Sequence, residues 1–178
     1  MIGKSCLTRL RGDDRGLALV EFACVLPVLL LTYLGGYQLT DALSCNRKVT
    51  IAARAVADLT TQNASLTNAQ ITTILNASSQ VLAPYNVSNA TVRVTEFVTD
   101  KNGNTTVYWS HDLSGGGRKP GSAFTLPANI RVNSSYVVLS EVSYSYRPAV
   151  NFQIVGPLTL GDTVYMNPRV SASVENPQ

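Results

Sequence analysis

The feature that most constrains this chain is an uncharged apolar run near its N-terminus. From Phe22 to Thr40 there is no Asp, Glu, Lys or Arg, and Leu17–Val20 add four apolar residues before Glu21. At ~1.5 Å per helical residue the segment is long enough to cross a hydrocarbon core of ~30 Å. Lys4, Arg9, Arg11 and Arg15, opposed by Asp13 and Asp14, precede it. Basic residues on that side predict a cytoplasmic N-terminus, with the remaining residues outside the cytoplasm. A cleaved secretory signal has a shorter apolar core of ~7–15 residues ending at an Ala-x-Ala-like site. Here the run is longer and no clean site of that kind follows it. An ordinary signal anchor explains the run but not Glu21, because an unpaired carboxylate at depth costs several kcal/mol.

The position of Glu21 suggests its partner. It is the fifth residue counted from Leu17, and Leu17 follows Gly16. A cut after Gly16 would create an α-ammonium four residues from the carboxylate. In a bundle of such helices the ammonium of one chain can neutralise the carboxylate of another, which sets axial register more than it adds stability.

The rest of the chain bounds the alternatives. A length of 178 residues suits one domain with a sizeable core. The net charge of +3 lies partly in the first fifteen residues, and no later basic patch is interleaved with aromatics, so no nucleic-acid partner is expected. Cys6, Cys24 and Cys45 leave the large C-terminal part without a disulfide. On one helix Cys24 and Cys45 lie ~30 Å apart, too far to pair. One histidine and no cysteine cluster argue against a metal site, and no cofactor motif is present.

Residues 17 to about 62 read as one long helix, with Pro27 expected to kink it and Gly35-Gly36 offering a close-packing notch. Beyond Asp41, apolar Val49, Ala52, Ala53, Val56 and Leu59 recur at the spacing of one buried face. Thr67 is placed to cap a second helix over about 68–82, ended by Pro84. From Thr91 the period becomes two. Lys101-Asn102-Gly103-Asn104 carries a hairpin signal, and Thr105 to Ser110 reads as the return strand. Residues 114–121 read as a flexible glycine loop. Residues 135–147 form a central strand, Leu158–Leu160 and Val164–Met166 two strands around Gly161-Asp162, and Val170–Val174 a short last piece. The sum is an α+β, pilin-like plan: a long N-terminal transmembrane helix followed by an antiparallel β-sheet domain.

Arg15-Gly16-Leu17-Ala18-Leu19-Val20-Glu21-Phe22 resembles the processing motif of type IV prepilins: Gly, four apolar residues, Glu and an aromatic. The longer string RGLALVEFACVLPVLLL resembles the TadE-like minor pilins or pseudopilins of the Tad (Flp, tight-adherence) pilus, Pro27 included. AARAVADLTTQ from Ala52 to Gln62 is similar to the stretch after the membrane helix in that family. Val138–Pro148, ending Tyr144-Ser145-Tyr146-Arg147-Pro148, resembles its Tyr-x-Tyr-x-Pro strand. Tyr165-Met166-Asn167-Pro168-Arg169 resembles its closing motif. Leu17 and Phe22 depart from the Phe and Tyr common at those positions in related pilins.

The resemblance implies a leader at 1–16 removed by a prepilin peptidase, a membrane span at 17–42 and an extracytoplasmic pilin-like domain at 43–178. Gly16 and Leu17 flank the cut, and Glu21 and Phe22 serve assembly and register. The implied partners are the peptidase, other Tad pilins, the inner-membrane assembly platform and membrane lipid. The implied location is the bacterial inner membrane with a periplasmic C-terminal domain, and the pilus after assembly. The alternative is a tethered adhesion or binding module that never enters a filament.

No catalytic constellation stands out. His111-Asp112 with Ser110 and Ser114 lacks a nucleophile-elbow context, and His111 reads as a solvated loop residue. Glu96, Asp100 and Glu141 read as scattered strand-surface carboxylates. Tyr144 and Tyr146 read as packing or sheet-surface residues.

Overall fold

A computed structural model describes residues 16–148 and 157–176. The basic leader residues and Cys6 lie outside them. Helix α1 spans Leu17–Thr61 and runs on through Pro27. The chain divides into two units, Met1–Thr40 and Asp41–Gln178.

In the first unit the apolar side chains of α1 are exposed, among them Leu19, Phe22, Val28 and Leu31. The Thr32 and Thr40 hydroxyls donate to the carbonyls of Val28 and Gly36, at 2.8 and 2.9 Å, so both polar groups are satisfied inside the helix itself. That is what an apolar solvent requires of a hydroxyl.

In the second unit α1 buries Cys45, Val49, Ala52, Ala53, Val56 and Ala57. Small and β-branched residues at these spacings form the helix's buried face in the main core. Leu59, expected on this face, is exposed at 39%, and Thr60 is buried in its place. Helix α2 spans Asn68–Ser79 and starts with a reciprocal capping box between Thr67 and Gln70. A 3-10 turn over Gln80–Leu82 completes the expected 68–82 element before Pro84.

Five strands follow: β1 Ala90–Thr99, β2 Thr105–Asp112, β3 Ala123–Phe124, β4 Ser135–Tyr146 and β5 Leu158–Met166. They form one antiparallel sheet in the order β3-β2-β1-β4-β5. The β1–β2 hairpin closes at Gly103, whose φ of +85° is the glycine conformation its turn needs. A bulge after Glu96 shifts the register against β2.

One face carries Val92, Val94, Val138, Val142, Tyr144 and Tyr146 in the main core with α1 and α2. The opposite face holds a second cluster of Phe97, Val107, Leu126 and Leu139. That second cluster exists because residues 113–134 fold back over the sheet. Both faces of β1 and β4 are therefore covered, and the strands read as apolar on both sides.

Three sequence expectations need correction. Leu158–Leu160 and Val164–Met166 are one strand, not two: Gly161 and Asp162 pair with Ser143 and Val142 of β4, so the ladder runs straight through the turn-like dipeptide. Val170–Val174 is not a strand. It is a bent strap that is tied to the body by hydrogen bonds at Arg169 and Val174 and by a parallel bridge between Ser65 and Glu175.

The glycine-rich loop, expected to be flexible, is pinned. Asp112 Oδ1 accepts from the backbone N–H of Ser114 and Gly116 at 3.0 and 2.7 Å. Arg118 makes a two-point ion pair with Glu141, its second bond 2.9 Å long, and its guanidinium lies 5.1 Å from the centre of the Phe124 ring. Phe124 itself stacks on Phe97 at 4.2 Å.

Glycine at 117 is required by space. A Cβ there would lie 2.4 Å from the carbonyl oxygen of Ser110, which is fixed in β2. Gly117→Ala is expected to push the loop outward and weaken the Arg118–Glu141 pair, costing about 2 kcal/mol as overpacking does. Denaturant unfolding of the variant in micelles checks this, and an unchanged midpoint would refute it.

Candidate functional site

The residues expected to matter most lie at the start of α1. Gly16 is exposed and open to any added side chain, and the helix starts at the next residue, Leu17. Leu17 is 58% exposed and Phe22 59% exposed. Leu17 and Glu21 stand four residues apart, so they share one face of the helix. Glu21 is exposed on this apolar segment, and among the described residues no ion pair includes it. The structure thus presents the carboxylate outward, among side chains that have no affinity for it.

Two further polar sites lie in the second unit, and sequence reasoning missed both. Asp41 of α1 binds two tyrosines. Tyr85 donates to Oδ1 at 2.8 Å and Tyr146 to Oδ2 at 2.6 Å. The Tyr85 ring packs edge-on against Tyr144 and Tyr146, with ring centres 6.0 and 6.4 Å apart. Burial, reinforced by the hydrogen bond to Asp41, raises the Tyr85 hydroxyl's pKa well above its usual range, so it stays a donor. Burial also pushes the Cys45 thiol up to about 11, with the Asp41 charge adding to the effect. Cys45 is therefore an inert apolar filler rather than a reactive thiolate. The sequence signal for this clamp was present: Asp41 is the first charge after the apolar run, and Tyr144 and Tyr146 sit in the motif that resembles the family's Tyr-x-Tyr-x-Pro strand.

The second site is built on Glu96, which is fully buried rather than on the strand surface. The Val174 N–H donates to Oε1 at 2.8 Å. The Trp109 indole N–H is shared between Oε2 and the Val174 carbonyl, both at 2.7 Å. Burial pushes the Glu96 pKa up to about 7, against the two N–H donors, which favour the charged form.

Chemistry of the hydrolase type does not assemble. Ser110 and His111 are adjacent on β2 and point to opposite faces of the sheet. The Ser110 hydroxyl pairs with Thr95 at 2.8 Å, and Asp112 is engaged by Ser114, Gly116 and Arg93. His111 is half-buried on a strand, not solvated in a loop. Burial lowers its pKa, and its Nε2 meets the Asn176 amide at 3.2 Å. Glu141 is held by Arg118. Asp100 receives the Asn104 side-chain and backbone amides and then the Asn102 amide in the hairpin turn, which lower its pKa. Tyr144 and Tyr146 are core residues. Among the described residues no His, Cys, Asp and Glu cluster forms a metal site.

These features define a class: a chain whose N-terminal helix is long and apolar enough to cross a membrane, with mean hydropathy 2.3 over its most apolar window, continuing into an α+β sheet domain. Residues 16–58 match the model of the TadE-like protein family, the family that the sequence resembles. The match starts at Gly16 and takes in Leu17, Glu21 and Phe22. No curated protein and no solved structure matches the chain.

Proposed function

We propose that this protein is a TadE-like minor pilin or pseudopilin, a structural subunit for assembly of the Tad pilus rather than an enzyme. A prepilin peptidase cuts it between Gly16 and Leu17. Its α1 segment from Leu17 to about Ala42 then sits in the inner membrane, with residues 43–178 on the periplasmic side. Its partners are the peptidase, the other Tad pilins and the assembly platform.

The observation that carries this reading is the outward-facing Glu21, one helical turn from Leu17 on an exposed apolar helix. A lone anchor in lipid has no partner for that carboxylate. A packed array of cut subunits supplies one at every position, the α-ammonium of a neighbouring Leu17. The exposed Gly16, open on all sides, is compatible with the close approach of a protease.

The test is the N-terminal sequence and intact mass of the full chain, expressed with and without its cognate prepilin peptidase. A terminus at Leu17 that appears only with the peptidase is the expected result, and a bulky replacement such as Gly16→Val is expected to abolish it. An intact Met1 terminus in both cases would overturn the processing step and favour the tethered adhesion module.

A further inference from the structure

The strap formed by Arg169–Asn176 is held by backbone hydrogen bonds together with an ion pair and a buried side chain. The Arg169 N–H donates to the Thr61 carbonyl at 3.0 Å, and its guanidinium pairs with Asp58 at 3.0 Å. Further on, the Leu66 N–H donates to the Glu175 carbonyl at 2.8 Å, and the Glu175 N–H to the Ala64 carbonyl at 3.0 Å. Between these points Val174 is fully buried, and its N–H and carbonyl are taken by Glu96 and Trp109. The strap thus closes over the end of α1, the α1–α2 turn and the β1–β2 pair at once.

We propose that this strap is a proton-linked latch: it stays docked when the buried Glu96 carries a proton and detaches more readily once Glu96 loses it. The argument rests on what Glu96 faces. Among the described residues no cation pairs with it. On β2 its neighbours are the Trp109 indole, the Tyr108 hydroxyl and, further along, His111. From the strap comes the Glu175 carboxylate; burial first, then Tyr136 of β4, Glu175 and Glu96, raise the Tyr108 pKa. On β4 Val138 is the residue opposite, and the nearby Ser140 hydroxyl is buried without a hydrogen-bond partner. At the Arg169 end Asp58 is already paired. A closed strap therefore confines the Glu96 charge with two amide-type donors and no counter-ion. An open strap returns it to water.

The direction follows from linkage. Closed, Glu96 titrates at about 7; open, it returns to the ordinary value of 4.5. Between those two values the closed form holds a proton that the open form has released, so rising pH favours opening until the closed-state pKa is passed. His111 does not drive the same change. Its pKa is depressed by burial, and the neutral ring accepts from Asn176, so its own protonation loosens the strap at the acid end instead.

The test is amide hydrogen exchange of the full chain in detergent micelles, expressed as protection factors so that intrinsic exchange cancels. Protection at Leu66, Val174 and Glu175 is expected to fall about tenfold between pH 6 and pH 8, since each pH unit below the closed-state pKa is worth up to tenfold. Val138 and Val142 in the β1–β4 ladder should hold constant. In Glu96→Gln the strap protection should be flat across that range. Trp109→Phe provides a second arm: it removes a donor but keeps the acid, so protection should be lower at both pH values with the pH dependence retained. Equal strap protection at pH 6 and 8 in the wild type would overturn the latch. So would an undiminished drop in Glu96→Gln, or an equal loss across the β1–β4 ladder.

Discussion

Glu21→Ala is expected to leave cleavage after Gly16 intact and to cut incorporation into sheared filaments by about tenfold or more. The carboxylate is not needed for the helix to form, because α1 is continuous around it and the Ala side chain has the higher helix propensity. It is also one helical turn beyond the proposed scissile bond. Under the proposed function, what the variant loses is the partner of the Leu17 α-ammonium in a packed array. An ammonium left unpaired among apolar side chains costs several kcal/mol, and every ~1.4 kcal/mol is a factor of ten in the assembly equilibrium. Glu21→Gln should assemble nearly as poorly, since it keeps the shape and removes the charge. The readout is the ratio of protein in sheared filaments to protein in membranes. Wild-type incorporation of the alanine variant would defeat the register argument while leaving the processing step standing.

The second large effect is expected from Asp41→Ala. That substitution removes the carboxylate shared by two tyrosine hydroxyls, Tyr146 almost fully buried and Tyr85 half-buried, and leaves Tyr85 only the Asp41 backbone carbonyl at 3.0 Å. Hydrogen bonds to a charged acceptor contribute ~1.5–3 kcal/mol, and a buried donor without a partner costs ~1–3 kcal/mol. Asp41 is itself partly exposed, so water recovers some of the loss. A net cost of about 2–3 kcal/mol is expected, which lowers the melting temperature by roughly 5–10 °C for a domain of this size. Tyr146→Phe should cost less, because Asp41 keeps Tyr85 and access to water. Lys119→Ala, an exposed loop change, should fall within about 0.5 kcal/mol. Thermal unfolding in micelles, followed by circular dichroism, separates these cases. Equal melting temperatures for Asp41→Ala and the wild type would show that the clamp contributes nothing.

Periodicity made much of the architecture legible. Leu17–Thr61, Asn68–Ser79 and the strands β1, β2 and β4 lie within a few residues of where the apolar spacing, the Thr67 cap and the Asn-Gly turn put them. Those signals are local: each depends on side chains a few residues apart. The failures share the opposite property. Gly161-Asp162 looks like a turn until β4 supplies a partner for each residue. The glycine loop looks mobile until Glu141, some twenty residues on, pairs with Arg118.

The N-terminal proposal, by contrast, draws on residues within one helical turn: a glycine, four apolar residues and a misplaced carboxylate. From Gly16 to Glu21 the sequence by itself determined what is unusual about this protein. The surroundings of two acids, Asp41 and Glu96, were decided only by the tertiary structure. Asp41 meets a tyrosine 105 positions away, and Glu96 meets the backbone of Val174, 78 positions on. A carboxylate's chemistry depends on whether water or a folded chain surrounds it, and for these two acids the surroundings are assembled from segments that no local pattern connects.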